Sequence, residues 1–410
     1  MRLPHRAVVA LGLAEIVSLA GTRFSMVAIP WLVLTLTGDP ILTGVAGLAE
    51  MLPYVGIKAL AGPLIDRFGA RRIALAGDTA SMMAIALVPL LHLIGLLSFA
   101  TLLPAVVLLG ALRGPADAAK QAMVPAVAAA ADLPLERVTG VMGTIERLAS
   151  AIGLALGGGV VAALGPAPAI AVTAVTFGLS ALTVRQGLVG IGRPSATAPT
   201  GYLADLREGW RWFRRDTVLV GIAAMIAMTN LLDQAYTAVL LPVWANHAGD
   251  AALLGLLLAL FSAAAVVGST LATLLAERLP RLVVYTLAFL VTGAPRFAVF
   301  AFDTPFPAML AVLAAAGFAS GFLNPIISAV MFERIPPALV GRVTALVNAM
   351  CWTLLPFGGL VGGALIALCG LPLAFAICGA LYLAATMLPL ALPGFRALAI
   401  RPAAPAGATL

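Results

Sequence analysis

The sequence is poor in charge: only 10% of its 410 residues are Asp, Glu, Lys or Arg, against 62% hydrophobic ones. Soluble chains carry roughly a quarter charged residues, so a solvated globular fold is excluded. Lysine is almost missing. Lys58 and Lys120 are followed by Ala and Gln, so there is no Walker loop and no ATP engine. His5, His92 and His247 cannot form HExxH, and no GxSxG nucleophile elbow occurs. Cys351, Cys369 and Cys378 lack CxxC spacing and read as small packing residues, not as metal ligands or a disulfide framework. The alternating polar and apolar segments of an outer-membrane barrel are also lacking.

What is present is apolar chain in blocks of about 20 to 28 residues, each long enough to span the hydrocarbon core as a helix. Mean hydropathy is +1.09. The fold class expected is therefore an all-α polytopic membrane protein. We read about twelve spans, at 7–36, 41–65, 73–96, 100–123, 138–163, 168–188, 217–245, 251–276, 282–301, 306–330, 342–368 and 372–392. The start, "MRLPHRAVVALGLAEIVSLAG", has the basic lead of a signal peptide. Its apolar run continues through Trp31 to Leu36 and Glu15 interrupts it, so an uncleaved first span is expected.

Basic residues set orientation. Taking alternate loops, Arg2, Arg6, Arg67, Arg71, Arg72, Arg137, Arg185 and the later loop arginines to Arg396 and Arg401 share one side. The loops of the other side carry no Lys or Arg. Both termini are thus expected in the cytoplasm. The net charge of +7 is accounted for by arginines beside anionic lipid headgroups, without a nucleic-acid partner.

The chain uses one unit twice. Arg137-Val138-Thr139 recurs 205 residues on as Arg342-Val343-Thr344, and at the same offset Gly153, Gly157, Gly158 and Gly165 map onto Gly358, Gly362, Gly363 and Gly370. "AIPWLV" in the first span corresponds loosely to "LLPVWA" in the seventh. Two pseudo-symmetric six-helix bundles follow, 1–188 and 217–392, with a cytoplasmic linker at 189–216 and a cytoplasmic tail at 393–410. In the linker, "GIGRPSATAPTG" is rich in turn formers. "YLADLREGWRWFRRD" places Leu203, Leu206, Trp210 and Phe213 on one face, an amphipathic interfacial helix. Duplicated halves suggest alternating access around a site near the midplane.

One short stretch gathers charge between the second and third spans: "AGPLIDRFGARRIAL", with Gly62, Asp66, Arg67, Gly69, Arg71 and Arg72. It resembles the signature loop of the major facilitator superfamily, G-x-x-x-D-R-x-G-R-[KR]-R, with Ala70 where the family usually has a basic residue. That resemblance implies a cytoplasmic gate in which Asp66 faces a helix amino end, here the start of the eleventh span near Gly341. A plain solvated turn that fixes topology is the alternative. "VAIPWLVLTLTGDPILTG", "AAKQAMVP" and "DLREGWRWFRRD" look like the drug:proton antiporter branch that holds macrolide-type and enterobactin exporters. Thr22 stands where that branch often has an acidic residue, and Leu154 stands where the antiporter motif G-P-x-x-G-G has its proline. The branch implies a secondary transporter, not an enzyme. It implies efflux of a small amphipathic molecule, drug or siderophore-like, with no cofactor and the proton gradient as energy source. It implies a monomer in a bacterial inner membrane whose partners are substrate, protons and lipid.

Ionisable residues within spans are functional candidates because hydrocarbon makes them costly. We take Glu15, Glu50, Asp117, Glu146 and Asp233 with Arg23, Lys58, Arg113, Arg147 and Arg296. Their balance points to pairing around a polar cavity. Glu15, Ser18, Thr22 and Ser25 form one stripe on the first helix, and Asn230, Asp233 and Gln234 share a face on the seventh. Arg113 and Asp117 are one turn apart, Gln121 continues that face, and Glu146 or Arg147 are possible partners for them. Arg113 also resembles the fourth-helix arginine associated with proton coupling in antiporters. Asp233 and Glu15 are the first choices for carrying a proton, then Glu50 and Glu146, with Arg113 and Asp117 beside them. Arg23, Thr22, Phe24, Met26, Trp31, Tyr54, Asn230, Gln234 and Tyr236 are the candidates for the substrate cavity. A proton-coupled nutrient symporter is the rival transporter, and a non-transporting receptor or enzyme the rival of another class.

Overall fold

A bilayer leaves backbone N–H and C=O groups only each other, and the computed structural model answers with helices. It describes residues 3–192, 202–275, 280–302, 304–335 and 340–387; positions 193–201 of the expected linker and the expected tail at 393–410 lie outside the described residues. Among the described residues, eleven helices are long and apolar enough to cross a membrane, and Leu371–Met387 is a further, shorter apolar helix. No strand occurs among the described residues.

The helices are α1 Leu3–Thr37, α2 Pro40–Ala59, α3 Ala61–Phe68, α4 Ala70–Leu93, α5 Phe99–Ala131, α6 Leu135–Leu164, α7 Pro166–Gly187, α8 Tyr202–Phe213 and α9 Thr217–Ala235. After a π-turn at Tyr236–Leu240 come α10 Leu241–His247, α11 Ala251–Leu275, α12 Arg281–Thr292, α13 Ala294–Ala301, α14 Phe306–Ser320, α15 Leu323–Arg334, α16 Val340–Trp352, α17 Gly358–Cys369 and α18 Leu371–Met387.

Several expected spans are composite, and proline and glycine mark the breaks. The second, expected over 41–65, ends at Ala59. Pro63 has no N–H to bond the Ala59 carbonyl, so α3 begins as a separate helix. The charged stretch is therefore not a loop, as its charge density suggested. It is a short helix, a corner at Gly69 with φ of +87°, and then the first turn of α4, which holds Arg71 and Arg72. Side chains rarely adopt that φ, which is why glycine sits at the corner. In the seventh span Pro242 removes an N–H and the ladder slips into the π-turn, closed by Leu241 N–H on the Tyr236 carbonyl. The ninth breaks at Gly293, and the eleventh passes through a 3₁₀ turn at Leu355–Phe357 around Pro356.

Packing divides the chain into two units. One comprises Met1–Pro199, Leu231–Ala263 and Leu355–Ala374; the other comprises Thr200–Asn230, Ala264–Leu354 and Phe375–Leu410. In the first, α1 runs against α6 and α7. Leu11, Ala14, Ala74, Ala119, Met123, Val184 and Leu188 form a buried core towards the arginine-bearing ends of the helices. In the second, aromatic contacts dominate. Phe300 stacks on Phe375 at 5.1 Å, and the Arg296 guanidinium lies 4.9 Å from the Tyr382 ring. There Phe213 of α8 is buried while its neighbour Trp210 is 43% exposed. Asp216 accepts from the backbone N–H of Val218 and Leu219 and also bonds Arg334, fixing the start of α9.

The repeat is visible in the backbone of the first unit. Gly38 and Gly249, 211 residues apart, turn with φ of +65° and +72°. The following Asp39 and Asp250 cap α2 and α11 through backbone N–H groups of Ile41, Ala252 and Leu253. One turn later Gly44 meets Gly359 of α17, and Gly255 meets Gly158 of α6. Helices that the repeat makes equivalent thus touch through glycine, as small residues permit when helices associate in lipid. A methyl group on Gly255 would lie 2.6 Å from Gly158 Cα and 2.8 Å from the Leu154 carbonyl oxygen. Gly255→Val should therefore force α6 and α11 apart, costing about 1–3 kcal/mol. The check is a lowered melting temperature of the purified protein, with Gly159→Ala, at a position with open space, as the control that does not move.

Candidate functional site

Glycine spacing on α5 decides which charges meet. Gly110 packs directly on the backbone of Glu50, and a methyl on Gly114 would stand 2.6 Å from the Tyr54 carbonyl oxygen. These two glycines, one turn apart, draw α2 onto the face of α5 that carries Arg113 and Asp117. The Arg113 Nη1 then reaches Glu50 Oε1 at 2.7 Å, with both side chains buried. The guanidinium lies over the Tyr54 ring, 4.4 Å from its centre. The Tyr54 hydroxyl donates to Asp117 Oδ2 at 3.2 Å and accepts from Lys58 Nζ at 3.2 Å.

The network continues through two residues that the sequence reading passed over, Asp78 of α4 and Lys120 of α5. Lys120 Nζ lies 3.2 and 3.4 Å from the two Asp78 oxygens, 3.5 Å from Asp117 Oδ1 and 2.7 Å from Ser18 Oγ. Ser180 Oγ donates to Asp78 Oδ2 at 2.6 Å. Lys120 and Asp78 are both 0% exposed. Charge therefore alternates along Glu50, Arg113, Asp117, Lys120 and Asp78, and each cation stands between two carboxylates. Such mutual compensation lets five charges persist in an apolar bundle. The signal that could have exposed the missing pair was present: Lys120 is three residues from Asp117, and Asp78 lies inside an apolar span.

Glu50 is the end of this chain that reaches open space. A cleft is lined by Met26, Ile29 and Pro30 of α1, by Thr43, Ala46, Gly47, Glu50 and Met51 of α2, and by Gln234, Thr237 and Ala238 around the π-turn. Its wall is mainly apolar, with two methionines and a single carboxylate, the composition of a small-molecule site.

The structure sorts the other sequence candidates. Met26 and Gln234 reach the cleft, whereas Phe24, Trp31 and Tyr236 are buried in helix packing. Thr22 is buried, with no hydrogen-bond partner for its hydroxyl among the described residues. Arg23 donates to Ser150 Oγ and contacts Met26 Sδ. Asn230 is tied to the Cys351 carbonyl, and Asp233, next to Gln234, is half-buried. Of the polar stripe on α1, Ser18 joins the ion network and Ser25 bonds its own helix at the Gly21 and Thr22 carbonyls. Glu146 was a possible partner of Arg113, but Glu50 takes that place because α2, not α6, is drawn against α5. Glu146 is exposed and Glu15 half-buried, and neither forms an ion pair among the described residues. Gln121 points outward too.

In the charged stretch, Gly62, Asp66, Arg67 and Arg72 are exposed, with Arg67 over the Phe68 ring. Arg71 turns inward and donates from Nη2 to the Arg185 carbonyl at 2.6 Å and from Nε to the Val184 carbonyl at 3.4 Å. It thus satisfies the carboxyl end of α7, where a cation is favoured by the helix dipole.

Comparison with known proteins agrees with this architecture. The family model of the Major Facilitator Superfamily matches residues 11–244 and again 223–407. The chain belongs to that superfamily, whose members are transporters and not enzymes, and it is a multi-pass membrane protein. It is 31% identical over 400 residues to the multidrug efflux pump Tap of Mycobacterium tuberculosis (strain H37Rv), covering 95% of this chain and 94% of the relative. Against the Tap protein of Mycolicibacterium fortuitum the identity is 29% over 361 residues, 87% of this chain and 88% of the other. Among solved structures, the nucleoside transporter NupG superposes with a TM-score of 0.73 at 13% identity, covering 97% of this chain and 99% of that one. A bacterial homologue of the iron transporter ferroportin, in an inward-facing state, gives 0.70 at 15%, with the same coverage. These last two likenesses concern the fold alone.

Neutralising Lys120 alone should leave Asp78 buried without its cation. Lys120→Met is therefore expected to lose about 3–5 kcal/mol of stability. The combined Lys120→Met/Asp78→Asn variant should recover most of it. Thermal unfolding and the yield of monodisperse protein measure both.

Proposed function

We propose that this chain exports small amphipathic molecules in exchange for protons, by alternating access between two six-helix bundles, 1–188 and 217–392. The segment 189–216 joins them, and 393–410 forms a tail. In this reading the protein sits as a monomer in a bacterial inner membrane with both termini in the cytoplasm. The observation that carries it is Glu50: a carboxylate in the wall of an apolar cleft, held by an arginine that has a second carboxylate within reach. A carrier of this kind must load a proton or a substrate at the same place in turn, and a shared cation lets that place change its charge at low cost. The efflux direction is supported by the name of the mycobacterial relative, which matches along nearly the whole chain.

Glu50, Arg113 and Asp117 form the coupling group in this scheme, with Asp233 on the seventh span and Glu15 on the first as further proton carriers. Glu146, exposed on α6, stands outside it. Met26, Met51, Gln234 and Thr237 supply the adaptable wall that an amphipathic substrate needs.

The test uses purified protein in sealed vesicles with an imposed pH gradient and a fluorescent lipophilic cation such as ethidium. Export reads as substrate leaving the compartment that protons enter; substrate and protons moving together would make the protein a symporter. Glu50→Gln and Asp233→Asn are each expected to abolish gradient-driven movement while leaving expression intact. Unaltered transport in either variant removes that residue from the mechanism.

A further inference from the structure

The far end of the ion chain has no part in the scheme above. Lys120 and Asp78 do not line the cleft, and both are fully buried. All the short contacts of the Lys120 ammonium are to fixed groups: Ser18 on α1, Asp78 on α4 and Asp117 one turn away on α5. Asp78 is held in turn by Ser180 on α7. Four helices thus anchor this end.

The near end is unfinished. Arg113 spends Nη1 on Glu50, but its Nε–H is buried without a hydrogen-bond acceptor among the described residues. That Nε faces Asp117 Oδ2 at 3.9 Å, too far for a hydrogen bond. A buried donor left unmet is costly, and here its acceptor stands about 1 Å beyond reach. Two groups hold the acceptor back: Lys120 draws Asp117 through Oδ1, and the Tyr54 hydroxyl occupies Oδ2.

We infer that Lys120, anchored by Asp78, is a positioning residue that sets how Arg113 divides between Glu50 and Asp117. With Lys120 in place, Asp117 is already compensated and Arg113 stays on Glu50. When Glu50 is neutralised by its load, Arg113 moves the short distance to Asp117 and meets its open donor. Without the ammonium, Asp117 captures Arg113 permanently and Glu50 stands unpaired in the cleft. This rests on the reading of Glu50 as the loaded group.

The test needs no transport. Dicyclohexylcarbodiimide modifies carboxyl groups that take up a proton in apolar surroundings, and peptide mass spectrometry on the full-length purified protein reports its attachment to Glu50. Lys120→Met/Asp78→Asn, which keeps the anchored end neutral, is expected to raise labelling of Glu50 by about threefold or more. Asp117→Asn should lower it by a similar factor, because Arg113 then has Glu50 alone. Labelling at Asp233 serves as the control for general loosening and should not change. Glu50 labelling that stays at the parent level in Asp117→Asn overturns the inference, as does a folded double variant with no increase. If the double variant yields no folded protein, the Asp117→Asn arm decides by itself. Either failure leaves the transport role of Glu50 standing, whereas transport that survives Glu50→Gln removes that role whatever the labelling shows.

Discussion

A charge can remain inside a hydrocarbon slab only beside its opposite, and the first unit of this protein is arranged around that constraint. Five residues from three helices alternate in sign from Glu50 to Asp78, and serines and a tyrosine supply the remaining hydrogen bonds. Take away any one and a neighbour is left uncompensated where water cannot replace it. Such a network is rigid where every member is satisfied and mobile where one is not. Here the satisfied end lies in the bundle, and the unsatisfied one borders the cleft.

The second constraint is distance. Glycine at the contact lets the α2 and α5 backbones approach closely, where leucine or valine would hold them apart. Gly110 and Gly114 seat α2 on α5, while Gly158 with Gly255 and Gly44 with Gly359 seat helices related by the internal repeat. In lipid the hydrophobic effect does not press helices together, so close packing of small residues takes over that task. The same small residues that make the chain look featureless therefore place its few charges.

One departure from regular helix falls at the cleft. The π-turn at Tyr236–Leu240 contributes Thr237 and Ala238 to its wall. Slipping the ladder by one residue rotates the following turn, which a regular α-helix could not do without moving the whole span. The corner at Gly69 works in the same way at the arginine-bearing end, turning Arg71 back onto the carboxyl end of α7.

By itself the sequence determined the helical, multi-pass character, because the length and apolarity of each block leave the backbone no alternative in lipid. It also showed the duplication, since arginines and glycines recur at a fixed offset, and it singled out Glu50, Arg113 and Asp117 as charges in costly places. Only the tertiary structure decided which charges pair, because a helix pattern gives the face of a residue but not the neighbour it meets. Hence Arg113 was matched with Glu146 and not with Glu50, its partner in the structure, and the Asp78–Lys120 pair passed unnoticed although both lie in apolar spans. The composite helices were hidden for a related reason. A proline or glycine marks where a ladder can break, but packing on the neighbouring helices selects whether it becomes a corner, a π-turn or an unbroken span.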